Sequence, residues 1–101
     1  MGATYDGRGG DPGEGAVKTI WKYPLGLART VHLLMPLGAE VLTVQLQGGV
    51  PTLWAIVESD ATMGGRMFIV NGTGNEFHGD EGRYIGTWQQ DGYVWHLFEE
   101  A

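Results

Sequence analysis

Ala39 to Ser59 reads AEVLTVQLQGGVPTLWAIVES, and the spacing of its apolar residues decides the fold. Val41 to Gln47 sets Leu42, Val44 and Leu46 on one side and Val41, Thr43, Gln45 and Gln47 on the other, the period of two of a strand. Thr52 to Glu58 is rich in β-formers and lies beyond Gly48-Gly49, a dipeptide suited to a two-residue turn with positive φ. With those glycines as the turn, Gln47 pairs with Val50, Leu46 faces Pro51, Val44 faces Leu53, Thr43 faces Trp54 and Leu42 faces Ala55. The pair beside such a turn is hydrogen-bonded and the next is not. Pro51 therefore falls where no ladder donor is wanted. One face of the hairpin is then Leu42, Val44, Leu46, Leu53, Ala55 and Val57, while the other still carries Val41, Trp54 and Ile56. A ribbon apolar on both faces needs a facing sheet and, on its far side, another element, a partner or a ligand.

Working outward, Val17 to Tyr23 reads as a strand with Thr19, Trp21 and Tyr23 on one face and Lys18, Ile20 and Lys22 on the other. Pro24-Leu25-Gly26 breaks it. Ala28 to Met35 follows as a second strand, with Val31, Leu33 and Met35 pointing inward. After Ser59 the residues Asp60 to Gly65 read as a loop, Met67 to Asn71 as a short strand, and Asn71 to Asn75 as a turn cluster. The stretch to Gly82 is the longest irregular connection. Arg83 to Gln90 and Tyr93 to Glu99 form a second hairpin around Asp91-Gly92, pairing Trp88 with Trp95, Thr87 with His96 and Ile85 with Phe98. Trp88, Trp95 and Leu97 share one of its faces, with Gly86 leaving an indentation beside them. Seven short strands and frequent turns predict an all-β domain, a small antiparallel sandwich or partly open barrel, over residues 16–101. Residues 1–15, dominated by glycine and without periodicity, are expected to form a flexible arm.

Composition narrows the function. The chain has 101 residues and a formal charge of -6, with 6 Lys+Arg against 12 Asp+Glu. That balance argues against non-specific binding to nucleic acid or to an anionic membrane surface. There is no cysteine, hence no disulfide framework and no thiolate metal site. No apolar run reaches membrane-spanning length, and no signal-peptide pattern opens the chain.

Chemistry-bearing residues are sparse. Ser59 is the only serine and lacks a nucleophile-elbow context. His32, His78 and His96 lie far apart in sequence, and His78-Gly79-Asp80 alone does not make a metal site. The pairs Glu58/Asp60 and Asp80/Glu81 read as surface charge, and Gly72-Thr73-Gly74 as a turn. No catalytic residue, metal or cofactor is expected. The aromatic set points instead to binding: Trp54, Trp88, Trp95 and Tyr84 as an aromatic face, with Arg66 and Arg83 as anion contacts.

Several segments carry a resemblance: Lys18-Thr19-Ile20-Trp21-Lys22-Tyr23-Pro24-Leu25, Gly38 to Gln45, Gly49-Val50-Pro51-Thr52-Leu53-Trp54-Ala55, Gly72-Thr73-Gly74, Tyr84-Ile85-Gly86-Thr87, and Val94-Trp95-His96-Leu97-Phe98-Glu99. In this order, from Val17 to Glu99, they resemble a family of short proteins of unknown function found mainly in tailed bacteriophages and prophages. Members often continue after the Gly-Thr-Gly with His-Pro, where this chain has Asn75-Glu76. The resemblance implies a viral origin and no established activity. The expected protein is phage-encoded and non-catalytic, binding copies of itself or other viral proteins in the host cytoplasm during infection or in the virion. The alternative is an anti-defence protein that sequesters a host nucleotide signal or inhibits a host protein.

Overall fold

A computed structural model of the chain describes residues 17–101. The flexible arm expected over residues 1–15 lies outside the described residues. Seven strands follow one another: β1 (Lys18–Pro24), β2 (Thr30–Pro36), β3 (Glu40–Gln47), β4 (Val50–Glu58), β5 (Met63–Gly72), β6 (Arg83–Gln90) and β7 (Tyr93–Glu99). They form a three-stranded sheet, β1-β4-β3, and a four-stranded sheet, β2-β5-β7-β6, with every pairing antiparallel. The domain is all-β, a sandwich or partly open barrel, as the alternation predicts.

Both turn dipeptides do what their chemistry requires. Gly48 and Gly49 have φ of 58° and 80°, and Asp91 and Gly92 have 55° and 83°. Two successive positive φ values match the twist of the flanking strands. Near each turn the predicted register holds, with Gln47 opposite Val50, Leu46 opposite Pro51 and Val44 opposite Leu53.

Farther from the turns, two pairings differ from the simple alternation. Val41, not Leu42, lies opposite Ala55, because β3 carries an extra residue between Val41 and Thr43. Likewise Tyr84, not Ile85, lies opposite Phe98, through an irregularity between Tyr84 and Gly86. A bulge of this kind inserts one residue and turns the side chains beyond it to the opposite face. Val41 thereby enters the core, and Leu42 is left 42% exposed. Leu46, also expected inside, lies near the open turn and is exposed.

The two bulged strands run alongside one another and bring the sheets together. A Cβ on Gly86 would stand 2.9 Å from Val44 Cγ1 and 3.6 Å from the Val44 nitrogen. The indentation expected at Gly86 is therefore filled by Val44. Gln90 adds a link at the same end, accepting from Trp88 Nε1 at 3.2 Å and donating to the Gly49 carbonyl at 3.0 Å.

β5 is longer than its predicted five residues. Met63, Gly64 and Gly65, read as loop from their glycines, pair with Pro36, Met35 and Leu34. A Cβ at Gly64 would lie 2.6 Å from Leu37 Cδ2, the tip of an exposed side chain that would have to swing aside. Between the sheets, Met35, Val44, Leu53, Ala55, Val57, Phe68 and Leu97 are all but sealed from solvent. Trp21, Tyr23, Val31, Leu33 and Trp95 pack around them.

Candidate functional site

The four aromatic residues singled out as one binding face do not share a surface. Trp88, 5% exposed, belongs to the core, and Trp95 packs against its edge. Tyr84 lies on the outer face of the four-stranded sheet, in edge contact with Phe98 at 5.6 Å. Trp54 alone faces outward from the three-stranded sheet. The parities next to each turn hold and those beyond the two bulges are reversed; which side of each hairpin is enclosed depends on how the two sheets stack.

Around Trp54 the antiparallel pairing builds two rows across the outer face of β1-β4-β3. One row is Ile20, Ile56 and Glu40; the next is Lys22, Trp54 and Thr43. Ile20 is 50% exposed, and Trp54 and Ile56 are half-buried. The Lys22 side chain crosses β4 to donate to Gln47 Oε1 at 2.7 Å. The edge formed by β1 carries Lys18, while β3 at the opposite edge carries Glu40 and, at Gln47, receives the Lys22 ammonium. This face is an apolar stripe with Lys18 at one margin and Glu40 at the other. The alternation already set Ile56 beside Trp54 and Ile20 between Lys18 and Lys22; Glu40 joins them only through the pairing of β3 with β4.

Arg66 and Arg83 do come together, but on a shared carboxylate. Arg66 Nε and Nη2 donate to the two Glu99 oxygens at 2.5 and 3.0 Å, and Nη1 donates to the Ala39 carbonyl at 2.7 Å. Arg83 Nη2 donates to the same Glu99 at 3.1 Å. The Arg66 hydrogen bond holds the Glu99 carboxyl below its ordinary range, against the pull of partial burial. Burial raises the Tyr23 phenol, whose OH is enclosed with no hydrogen-bond partner near this cluster.

The connection from β5 to β6 has its own anchor. Glu81, 3% exposed, accepts from the backbone N–H groups of His78 and Gly79, each at 2.8 Å. The His78 N–H is the main cause of a lowered Glu81 pKa, helped by its own N–H and that of Gly79. His78 stands in this loop, His32 on β2 and His96 on β7. Among the described residues no three metal-ligating side chains are grouped.

Both carboxylates give a pH dependence of defined sign. A folded pKa below the ordinary 4.5 means stabilisation that is complete above that value and lost as pH falls through the lower, folded one. Urea midpoints measured from pH 7 to pH 3 are expected to stay level, then drop below about pH 4.5. Glu81→Gln and Glu99→Gln are each expected to lower the neutral plateau and flatten the acid drop.

The family model for a domain of unknown function (DUF7352) matches residues 16–101, the whole of the β domain. The chain belongs to that family. No curated protein and no solved structure matches it. The family's domain thus begins where the glycine-rich segment stops.

Proposed function

We propose that the chain is a non-catalytic interaction protein of phage origin that docks a second copy of itself through the outer face of β1-β4-β3. The observation that carries this reading is the row Ile20–Ile56–Glu40 beside Trp54: an apolar centre with Lys18 on the β1 margin and Glu40 on the β3 margin. A twofold axis lying along β4 superposes β1 of one copy on β3 of the other. That sets Lys18 beside the partner's Glu40, with Ile56 over Ile56 and Trp54 over Trp54. The contact is isologous and closes on itself. A twofold axis across the strands would instead oppose lysine to lysine.

The non-catalytic reading rests on how the reactive side chains are engaged. Both His96 ring nitrogens are hydrogen-bonded to threonine hydroxyls, Glu99 holds two arginines, and Glu81 holds backbone amides. Nucleotide sequestration would need an open indole beside a free guanidinium. Arg66 and Arg83 are tied to Glu99 at one end of β7, whereas Trp95 and Trp88 meet at the other. The phage origin is supported by the ordered segments from Lys18 to Glu99.

Sedimentation equilibrium tests the reading. The expected result is a dimer that Ile56→Glu converts to monomer at the same concentration. Glu40→Lys should weaken association at least tenfold, and adding Lys18→Glu should restore most of it. A wild-type chain that stays monomeric at millimolar concentration would overturn the proposal.

A further inference from the structure

On the opposite side of the molecule, the outer face of the four-stranded sheet holds a half-open pocket of about 190 Å³. Its lining includes Asn71 and Gly72 from the end of β5, Thr73, Asn75 and Phe77 from the connection that follows, and His96 and Phe98 from β7. The pairing of Asn71 with His96 and of Ile69 with Phe98 puts β5 and β7 side by side beneath it. Phe77 reaches over from the loop to Phe98, ring centroids 5.6 Å apart, and remains 60% exposed.

Three features make this more than a surface dent. Asn71 is 4% exposed, and its side-chain oxygen is enclosed without a hydrogen-bond partner, although its nitrogen donates to the Glu76 carbonyl at 3.3 Å. An unpaired buried acceptor is costly to the fold, so it is a place where a donor from outside is wanted. Second, Thr73 ends a chain of hydrogen bonds that fixes the wall: Tyr84 OH to Thr87 Oγ1 at 2.5 Å, Thr87 Oγ1 to His96 Nδ1 at 2.9 Å, and His96 Nε2 to Thr73 Oγ1 at 2.7 Å. A neutral imidazole in such a chain donates from one nitrogen and accepts at the other. With Tyr84 as the outer donor, Nε2–H donates to Thr73, and the Thr73 hydroxyl proton is left for the pocket. Third, the loop carrying Phe77 and Asn75 is pinned by Glu81 and by Asn75 N–H donating to the Gly72 carbonyl at 3.0 Å. The loop is thereby held over the pocket, and a ligand's donor reaches the enclosed Asn71 oxygen as that loop gives way.

We propose that this pocket binds a small, uncharged planar ring carrying an N–H beside a carbonyl, the lactam edge common to nucleobases and pyridones. The ring packs against Phe77 and Phe98, its N–H meets the Asn71 oxygen, and its carbonyl accepts from Thr73. Size sets the class: the volume is below the roughly 300–1,000 Å³ of pockets for drug-sized ligands, so it takes one ring and not a nucleotide. Charge sets it too, since no Lys or Arg lines the pocket to meet a phosphate. The site lies away from the Trp54 face and stands or falls independently of the docking proposal.

Titration of the full chain with 2-pyridone and with uracil, followed by ¹H–¹⁵N NMR, tests it. Shifts should be confined to residues around Asn71–Phe77 and His96–Phe98. N-methyl-2-pyridone, which lacks only the donor, should bind at least tenfold more weakly. Phe77→Ala, an exposed change that leaves the core intact, should weaken 2-pyridone binding at least tenfold, as should Asn71→Leu if its spectrum remains folded. No pocket shifts with either ring at about 10 mM, equal binding of the N-methyl analogue, unchanged binding by Phe77→Ala, or tighter binding of uridine monophosphate than of uracil would each overturn the proposal.

Discussion

Gly82→Ala is expected to destabilise the domain by about 3 kcal/mol or more, far beyond the usual effect of one added methyl group. Gly82 has φ of 109°, where a side chain is strained whatever space surrounds it. There is also no space. A Cβ would stand 2.0 Å from the Glu99 carbonyl oxygen, 2.7 Å from its carbon and 2.9 Å from Glu100 Cα, all of them backbone atoms. Relief requires separating the start of β6 from the end of β7, where Arg83 pairs with Glu99. That movement would also pull on Glu81, the loop anchor next to Gly82, and on the carboxylate shared by Arg66 and Arg83. Chemical denaturation should show a lower midpoint. Gly26→Ala is the control: nothing lies within 4 Å of its Cβ, and it should change stability by less than about 0.5 kcal/mol.

Phe68→Ala is expected to cost about 3–5 kcal/mol. Phe68 is fully buried in the middle of β5, in one cluster with Met35, Leu53 and Leu97. Truncation removes the largest sealed side chain of the core and leaves a void between two sheets held apart by their remaining neighbours. Domains of this kind have about 5–15 kcal/mol in total, so a substantial unfolded fraction at 37 °C should follow. Phe68→Leu keeps most of the volume and should lose about 1–2 kcal/mol. Equal midpoints for the alanine variant and the wild type in urea would contradict this placement of the core.

Much of the fold is written in local chemistry. Gly48-Gly49 and Asp91-Gly92 fix two turns and, through them, the pairings nearest each turn. Pro51 sits where a missing N–H is tolerated, and its carbonyl accepts from Leu25 N–H at 2.7 Å. The bulges are a different matter. Val41 and Leu42 are both apolar, so alternation cannot say which of them faces the core; that choice is made by the approach of β3 to β6. Gly86 carried the one local hint, since a glycine inside a strand marks a bulge or a close approach, and here Val44 makes the approach. Met63-Gly64-Gly65 looked like a loop because its glycines carry no alternation; its pairing with Leu34, Met35 and Pro36 of β2 is a tertiary fact. The same holds for binding surfaces. Trp88 and Trp54 look alike in sequence, and only the stacking of the sheets buries one and leaves the other outside. Asn71 and His96 become neighbours only once β5 lies beside β7.

The claim on which the functional account turns is that Trp54 and Ile56 meet their own counterparts in a second copy. An isotope-filtered NOE experiment on an equal mixture of ¹³C-labelled and unlabelled chains observes such contacts directly. The account predicts cross-subunit peaks between labelled Ile56 methyls and the unlabelled Ile56 methyls and Trp54 indole, absent in the Ile56→Glu variant. A mixed sample that sediments as dimer yet shows no such peaks, or shows them only from the Phe77 and Phe98 side, would contradict it.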